Sequence, residues 1–141
     1  MFIYDLTEKQ KSTFLILAKQ LSLSDSKLTP EEERELELME RETGMQIPAA
    51  AESFDKSTLL GVFDSSKSKI ATILELILLG FADGEFSEEE NQYIHELASA
   101  FRITDDDLNR YARWALKQHE VLQEGKEFWG EKTSAAVYAR P

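Results

Sequence analysis

The sequence predicts an all-α domain made of two similar helical halves. Apolar residues recur at helical spacing along most of the chain, and no stretch shows the period-two alternation of a half-buried strand. Helix start signals, in which Ser or Thr is followed three residues later by Glu, occur in both halves. The 141 residues, 42% of them hydrophobic, are enough for one packed core.

The first half contains two predicted helices separated by an acidic turn. The first helix covers about residues 7–23, with its apolar residues on one face. Thr29 is the expected N-cap of the second helix, and Pro30 follows at the first helical position. Glu32 completes a capping box with Thr29, and Gly44 is the expected stop at the other end.

The second half begins with a short helix over about residues 54–63 and an apolar helix over about residues 66–82. The main apolar stripe of the longer helix consists of Ile70, Ile73, Leu74, Ile77, Leu78 and Phe81. Leu76 and Leu79 lie on its far side. A helix that is apolar on both sides is expected at the centre of a bundle.

Two further capped helices follow. Ser87 is the expected N-cap of the first, and Glu90 is its third helical residue. Thr104 caps the second, whose first turn holds the three aspartates 105–107 near the positive end of the helix dipole. We therefore expect one domain, residues 1–141. Its first half covers about 7–63 and its second about 66–123, and residues 124–141 form a tail that is a short helix or docks on the bundle.

The two halves match each other at an offset of 58 residues. The stretch LSDSKLTPEE, residues 23–32, lies over FADGEFSEEE, residues 81–90. The aligned pairs include Asp25 and Asp83, Leu28 and Phe86, Thr29 and Ser87, Glu32 and Glu90, Leu36 and Ile94, Met39 and Leu97, and Met45 and Ile103. Capping rules generate part of this match. Because helix, acidic turn and capped helix occur twice in the same order, we predict a duplicated helical hairpin.

The composition excludes several classes of function. The net charge of −11 argues against nucleic acid, because affinity for the phosphate backbone comes from Lys and Arg, and against anionic lipid. The absence of cysteine excludes thiol catalysis, thiolate metal sites and disulfides. The first ten residues do not resemble a signal peptide, and the most apolar stretch, residues 70–81, is too short to span a bilayer. We expect a cytoplasmic protein whose partners are cations or basic proteins.

The stretch ADGEFSEEE, residues 82–90, is similar to the second half of a calcium-binding EF-hand loop. Setting Asp83 at loop position 5 puts Glu90 at position 12, the place of the bidentate glutamate. Loop positions 1 and 3 are then Leu79 and Phe81, which have no ligating oxygen in their side chains. The stretch is therefore not an EF-hand. A capped turn between two helices is the simpler interpretation, and ligand binding is the alternative.

The same stretch, flanked by ILELILLGF and NQYIHELASAF, resembles the TerB family of tellurite-resistance and stress-response proteins. Those proteins join two helices by Ala-Asp-Gly, a hydrophobic residue and an acidic helix start that ends in Glu. The resemblance is best over about residues 70–122 and extends more weakly over residues 7–45 through the internal copy. In the first copy, Ser24 and Ser26 replace the Ala and Gly of the motif.

The resemblance implies a compact bundle of about seven helices with pseudo-twofold halves. It also implies a non-enzymatic module that acts through protein contacts in a tellurite, metal or general stress response, including a complex near the membrane. A divalent cation, Ca²⁺ or Mg²⁺, is implied at the acidic turns. Its ligands on the matching positions would be Asp83 and Glu90 from the second copy and Asp25 and Glu32 from the first.

Other readings of the sequence remain open. The same carboxylates would suit a metal-assisted enzyme, although no nucleophile or general base is visible beside them, and a plain helical scaffold would share the fold. HELAS lacks the second histidine of a zincin motif, so His95 and His119 are expected on helix surfaces. Glu75 is expected at a partly exposed edge beside Lys or Arg, the alternative being a buried functional acid.

Overall fold

The computed structural model describes residues 2–82 and 86–130, which fold as an all-α bundle without strands. Six α-helices are present in this part of the chain: α1 (Glu8–Ser22), α2 (Pro30–Thr43), α3 (Lys56–Leu60), α4 (Ser66–Gly80), α5 (Glu88–Ala100) and α6 (Asp105–Gly130). Two short 3-10 helices cover Phe2–Asp5 and Ala51–Ser53. The all-α prediction is confirmed, with six α-helices where the resemblance implied about seven. Asp83 and residues 131–141 of the predicted tail lie outside the described residues.

The helix boundaries follow from the residues that cap them. α2 and α5 begin with the two predicted capping boxes, and α1 and α4 begin with further boxes of the same kind. Thr104 Oγ1 accepts the backbone N–H of Asp107 at 3.1 Å, as expected of the α6 N-cap. Gly44 ends α2 in the left-handed conformation, with φ of 69°.

α4 is the central helix of the bundle. It packs against α1, α2, α5, α6 and the 3-10 helix Phe2–Asp5. Leu76 and Leu79, on the side opposite the predicted stripe, are buried, whereas Ile70 and Leu78 of that stripe are partly exposed. Neighbours therefore cover both sides of this helix, and the far side is buried more deeply than the stripe.

Glu75 lies on the buried part of α4, so the prediction of a partly exposed edge is wrong. Its carboxylate accepts the backbone N–H of Phe2. The 3-10 helix Phe2–Asp5 packs across α4, which removes this carboxylate from water. Glu75 thus holds the start of the described chain against the central helix.

The observed helices repeat at the predicted offset. α1 and α4 each have 15 residues and occupy equivalent positions in the two halves, and α2 and α5 begin at equivalent positions. The aligned pairs Leu36 and Ile94, and Met39 and Leu97, are all buried in the core. Ser26, which aligns with a glycine of the motif, has a left-handed φ of 62°. These features support a duplicated helical hairpin.

Gly80 allows the chain to return against α4 after the acidic turn. A Cβ at this residue would lie 2.3 Å from Cε2 of Phe86, well inside van der Waals contact. The Phe86 ring also packs against Phe81, with ring centroids 5.2 Å apart. The close approach places the start of α5 beside the end of α4.

α6 is longer than predicted. Residues 124–130, expected as a short helix or as part of a docked tail, continue α6 to Gly130. Among the described residues, no helix combines the length and the apolar character needed to cross a bilayer.

We expect Gly80→Ala to lower the free energy of unfolding by about 1–3 kcal/mol, because the added methyl group displaces the Phe86 ring. Urea denaturation measures this change. Gly61→Ala is the matched control, since a Cβ there would meet only Thr58 O at 3.9 Å. If Gly80→Ala and Gly61→Ala lower the free energy of unfolding equally, the close approach of Phe86 to Gly80 is contradicted.

We expect Ser26→Gly to raise the free energy of unfolding by about 0.5–1 kcal/mol, because glycine adopts a left-handed φ without the steric cost of a Cβ. Ser24→Gly in the same turn serves as the control. Ser24 has no left-handed backbone, and its hydroxyl donates to Leu21 O at 2.7 Å, so this change should destabilise the protein. Thermal or urea unfolding of both variants checks the difference in sign.

Candidate functional site

Glu32 and Glu90, the capping glutamates of α2 and α5, are brought together from the two halves. Each side chain bends back to its own helix start: Glu32 Oε1 accepts the Thr29 N–H at 3.2 Å, and Glu90 Oε1 accepts the Ser87 N–H at 3.0 Å. Both glutamates are only 3% exposed. The carboxyl group of Glu32 lies close enough to Glu90 to raise the pKa of Glu90. A buried carboxyl pair therefore joins the starts of the two helices.

This pair is unfavourable when both groups are ionised, because they repel each other and have little contact with water. The pKa of Glu90 is raised from 4.5 to about 8, chiefly by burial and then by the hydrogen bond and the charge of Glu32. Hydrogen bonds from Ser87 oppose this rise but do not cancel it. At neutral pH Glu90 therefore keeps a proton.

The second carboxyl oxygen of Glu90 has an unusual environment. Glu90 Oε2 is buried and has no hydrogen-bond partner among the described residues. A buried acceptor without a donor costs about 1–3 kcal/mol, and more when it carries charge. A proton or a cation at this oxygen would remove that cost.

The other two predicted ligands do not extend the pair within the described residues. Asp25 Oδ1 accepts the backbone N–H of Lys27 at 3.0 Å, so the side chain stabilises its own turn. Asp83 is not described. Residues 2–82 and 86–130 contain no group of three or more Asp, Glu or His side chains placed to hold a metal ion. The structure thus brings together two of the four predicted ligands, and the four-ligand site stays a prediction.

A cleft of about 450 Å³ opens between α4, α5 and α6, beside the start of α5. Its apolar lining consists of Ile77, Phe81, Phe86, Ile94, Leu108 and Ala112. Its polar lining consists of Ser87, Glu88, Asn91, His95 and Asn109. The sequence did not predict this cleft, because its lining comes from three helices whose relative placement cannot be derived from periodicity.

The two histidines differ in their surroundings. His95 is exposed, as expected, at the polar edge of the cleft. His119 is partly buried and its ring centroid lies 6.0 Å from that of Phe81. The expectation that both lie on helix surfaces is therefore correct for His95 and only partly correct for His119.

Residues 49–113 match the family model described as "Tellurite resistance protein TerB". The matched segment contains α3, α4, α5 and the first part of α6, and it includes Glu90. No curated protein and no solved structure matches the chain. The TerB-like character that the ADGEFSEEE motif indicated is confirmed over the matched residues.

We expect Glu90→Gln to remove a pH dependence of stability. Between about pH 4.5 and 8 the folded protein holds a proton on Glu90 that the unfolded chain has lost, so the free energy of unfolding falls as the pH rises through this window. Glutamine keeps the size of the protonated acid and a donor towards Glu32, but it does not titrate. Urea denaturation from pH 5 to 9 should therefore show a smaller decline in the variant.

The matched control is Glu89→Gln, which changes an exposed neighbour on the same helix and should keep the decline of the native protein. If the free energies of unfolding of the native protein and of Glu90→Gln change in parallel from pH 5 to 9, the raised pKa of Glu90 is contradicted.

Proposed function

We propose that this protein is a non-enzymatic TerB-like module that acts through protein contacts in a tellurite, metal or general stress response. We further propose that its Glu32–Glu90 pair is a site where a divalent cation takes the place of the shared proton. The observation that carries the cation proposal is Glu90 Oε2, a buried oxygen without a hydrogen-bond partner among the described residues. The TerB match over residues 49–113 supports the module.

The donor atoms of the pair suit a hard cation. Carboxylate oxygens are preferred ligands of Mg²⁺ and Ca²⁺, and a cation would cancel the repulsion that otherwise requires a proton. Mg²⁺ is commonly held by one or two carboxylates together with water, which agrees with the two carboxylates found here. Ca²⁺ takes six to eight oxygens and would need further ligands, for which Asp83 remains the predicted residue.

The distribution of charge supports protein partners of opposite sign. The net charge is −11, and α2 carries seven glutamates between Glu31 and Glu42. Glu33, Glu37 and Glu42 are exposed along this helix, so they can contact solvent or a partner. Such a surface favours encounter with basic proteins. A location within a stress-response complex near the membrane follows from the family resemblance alone.

Calorimetric titration with Mg²⁺ and with Ca²⁺ tests the cation site. Because protons and cations compete for Glu90, whose pKa is about 8, we expect the apparent affinity to be roughly 20-fold higher at pH 8.5 than at pH 6.5. About one proton should be released for each cation bound near neutral pH. Both Glu90→Gln and Glu32→Gln should abolish this binding, and Asp83→Asn reports whether a third carboxylate takes part.

Glu89→Gln again serves as the matched control and should bind as the native protein does, since this side chain is exposed on the same helix. Heats that are unaltered by Glu90→Gln and Glu32→Gln would rule out the cation site and leave the two glutamates as helix caps. Circular dichroism of each variant establishes that it is folded before titration.

A further inference from the structure

The cleft between α4, α5 and α6 is separate from the carboxyl pair. Glu32 and Glu90 do not line it, and its volume of about 450 Å³ lies within the roughly 300–1,000 Å³ that is typical of small-molecule sites. α5 and α6 each pack against α4 but much less against each other, which leaves the cleft between them. The cleft is therefore a candidate site of its own.

The first half contains an equivalent cleft, with a volume of about 250 Å³. Its lining includes four residues of α1 and α2, which are Lys19, Glu33, Leu36 and Glu37. The residues 58 positions later all line the cleft of the second half, and these are Ile77, Asn91, Ile94 and His95. The duplicated hairpin thus forms a cleft at the same place in both halves.

The lining of the second cleft is not required by the fold. The first half has Lys19 where the second has Ile77, and Glu37 where the second has His95. Because the first copy folds with charged residues at these positions, packing alone does not explain the apolar side chain at Ile77 or the loss of the carboxylate at His95. A bound ligand that contacts the second cleft explains both differences.

The second cleft offers a surface suited to a ring. Ile77 and Ile94 are each only 2% exposed, whereas Phe81 and Phe86 are partly buried, with ring centroids 5.2 Å apart. On the α6 side, Ala112 contributes only a methyl group to the lining, so this helix does not fill the space. Apolar and aromatic side chains favour a ligand with an apolar, ring-containing body.

The charges around the cleft favour a cationic ligand. Among the described residues that line it, Glu88 is the carboxylate and none is Lys or Arg. Asp105, one turn before Asn109 on the same side of α6, adds an exposed carboxylate beside the cleft. The amide oxygens of Asn91 and Asn109 can accept hydrogen bonds from an ammonium group, and aromatic faces attract cations. The net charge of −11 adds a general attraction for cations.

We propose that the cleft between α4, α5 and α6 binds a small organic cation, with a ring-containing body against Phe81 and Phe86 and an ammonium group near Glu88. A ligand of about 12 non-hydrogen atoms is expected to bind with a dissociation constant of about 0.1–1 mM, given the affinity that each atom of a small ligand contributes. This site goes beyond the proposed function and does not need the Glu32–Glu90 pair, since neither glutamate lines the cleft.

Three naphthalene probes that differ in charge test this proposal: naphthylmethylammonium, naphthylmethanol and naphthylacetate. Each is titrated into the full chain and followed by amide NMR. Saturable shifts should concentrate at the backbone N–H of Ser87 and at the side-chain amides of Asn91 and Asn109. The ammonium probe should bind at least about fivefold more tightly than the acetate probe, with the alcohol between them, because Glu88 attracts a cation and repels an anion.

Ala112→Leu fills part of the cleft and should weaken the ammonium probe by about tenfold or more, because a packed site does not yield to a larger side chain. Ala100→Leu, at an exposed alanine of α5 outside the lining, is the matched control and should leave the affinity unchanged. Glu88→Gln should weaken the ammonium probe about three- to fivefold and spare the alcohol, whereas Glu89→Gln should affect neither. Circular dichroism establishes that each variant is folded.

The proposal is overturned if the shifts fail to saturate with every probe, if they map to the cleft of the first half, or if Ala112→Leu binds the ammonium probe as the native protein does. If naphthylacetate binds as tightly as naphthylmethylammonium, the assignment of a cationic ligand is wrong. The same holds if Glu88→Gln and Glu89→Gln weaken the ammonium probe equally, because Glu88 then has no specific contact with it.

Discussion

The contact between Glu32 and Glu90 links the fold of this protein to its chemistry. Each glutamate caps its own helix, so neither can leave its position without exposing backbone N–H groups. Each is also buried, so the two cannot both carry a charge without a large cost. Glu90 therefore keeps a proton at neutral pH, and this is the charge that the proposed cation would replace. Helix capping, which is a local interaction, thereby places a buried pair of carboxyl groups between the two halves.

The duplicated hairpin explains why the two carboxyl groups meet. Glu32 and Glu90 occupy equivalent positions in the two halves, and packing around the central helix α4 brings these positions face to face. Gly80 contributes to this geometry because it lets Phe86, just before the α5 cap, pack closely against α4. The two turns themselves differ, since Ser26 holds a left-handed conformation with a side chain where the motif has glycine.

Local signals in the sequence predicted much of the fold. The caps at Thr29 and Ser87 and the stop at Gly44 could be recognised because each depends on residues within one turn of a helix. The burial of Glu75 could not be recognised in this way, because it depends on a 3-10 helix more than 70 residues earlier in the chain. The unbroken course of α6 through Gly125 was also missed, since one glycine lowers the stability of a helix without ending it. For the candidate site, the sequence identified both glutamates, but their contact depends on how the halves pack.

The pKa of the Glu90 carboxyl group can be measured directly by following its side-chain carbon resonance in NMR as the pH is raised. A midpoint near 8 that moves down in Glu32→Gln is the result expected of a buried pair that shares one proton. A midpoint near 4.5, unaffected by the change at Glu32, would show that the two glutamates are independent helix caps and would remove the basis for a cation site between them.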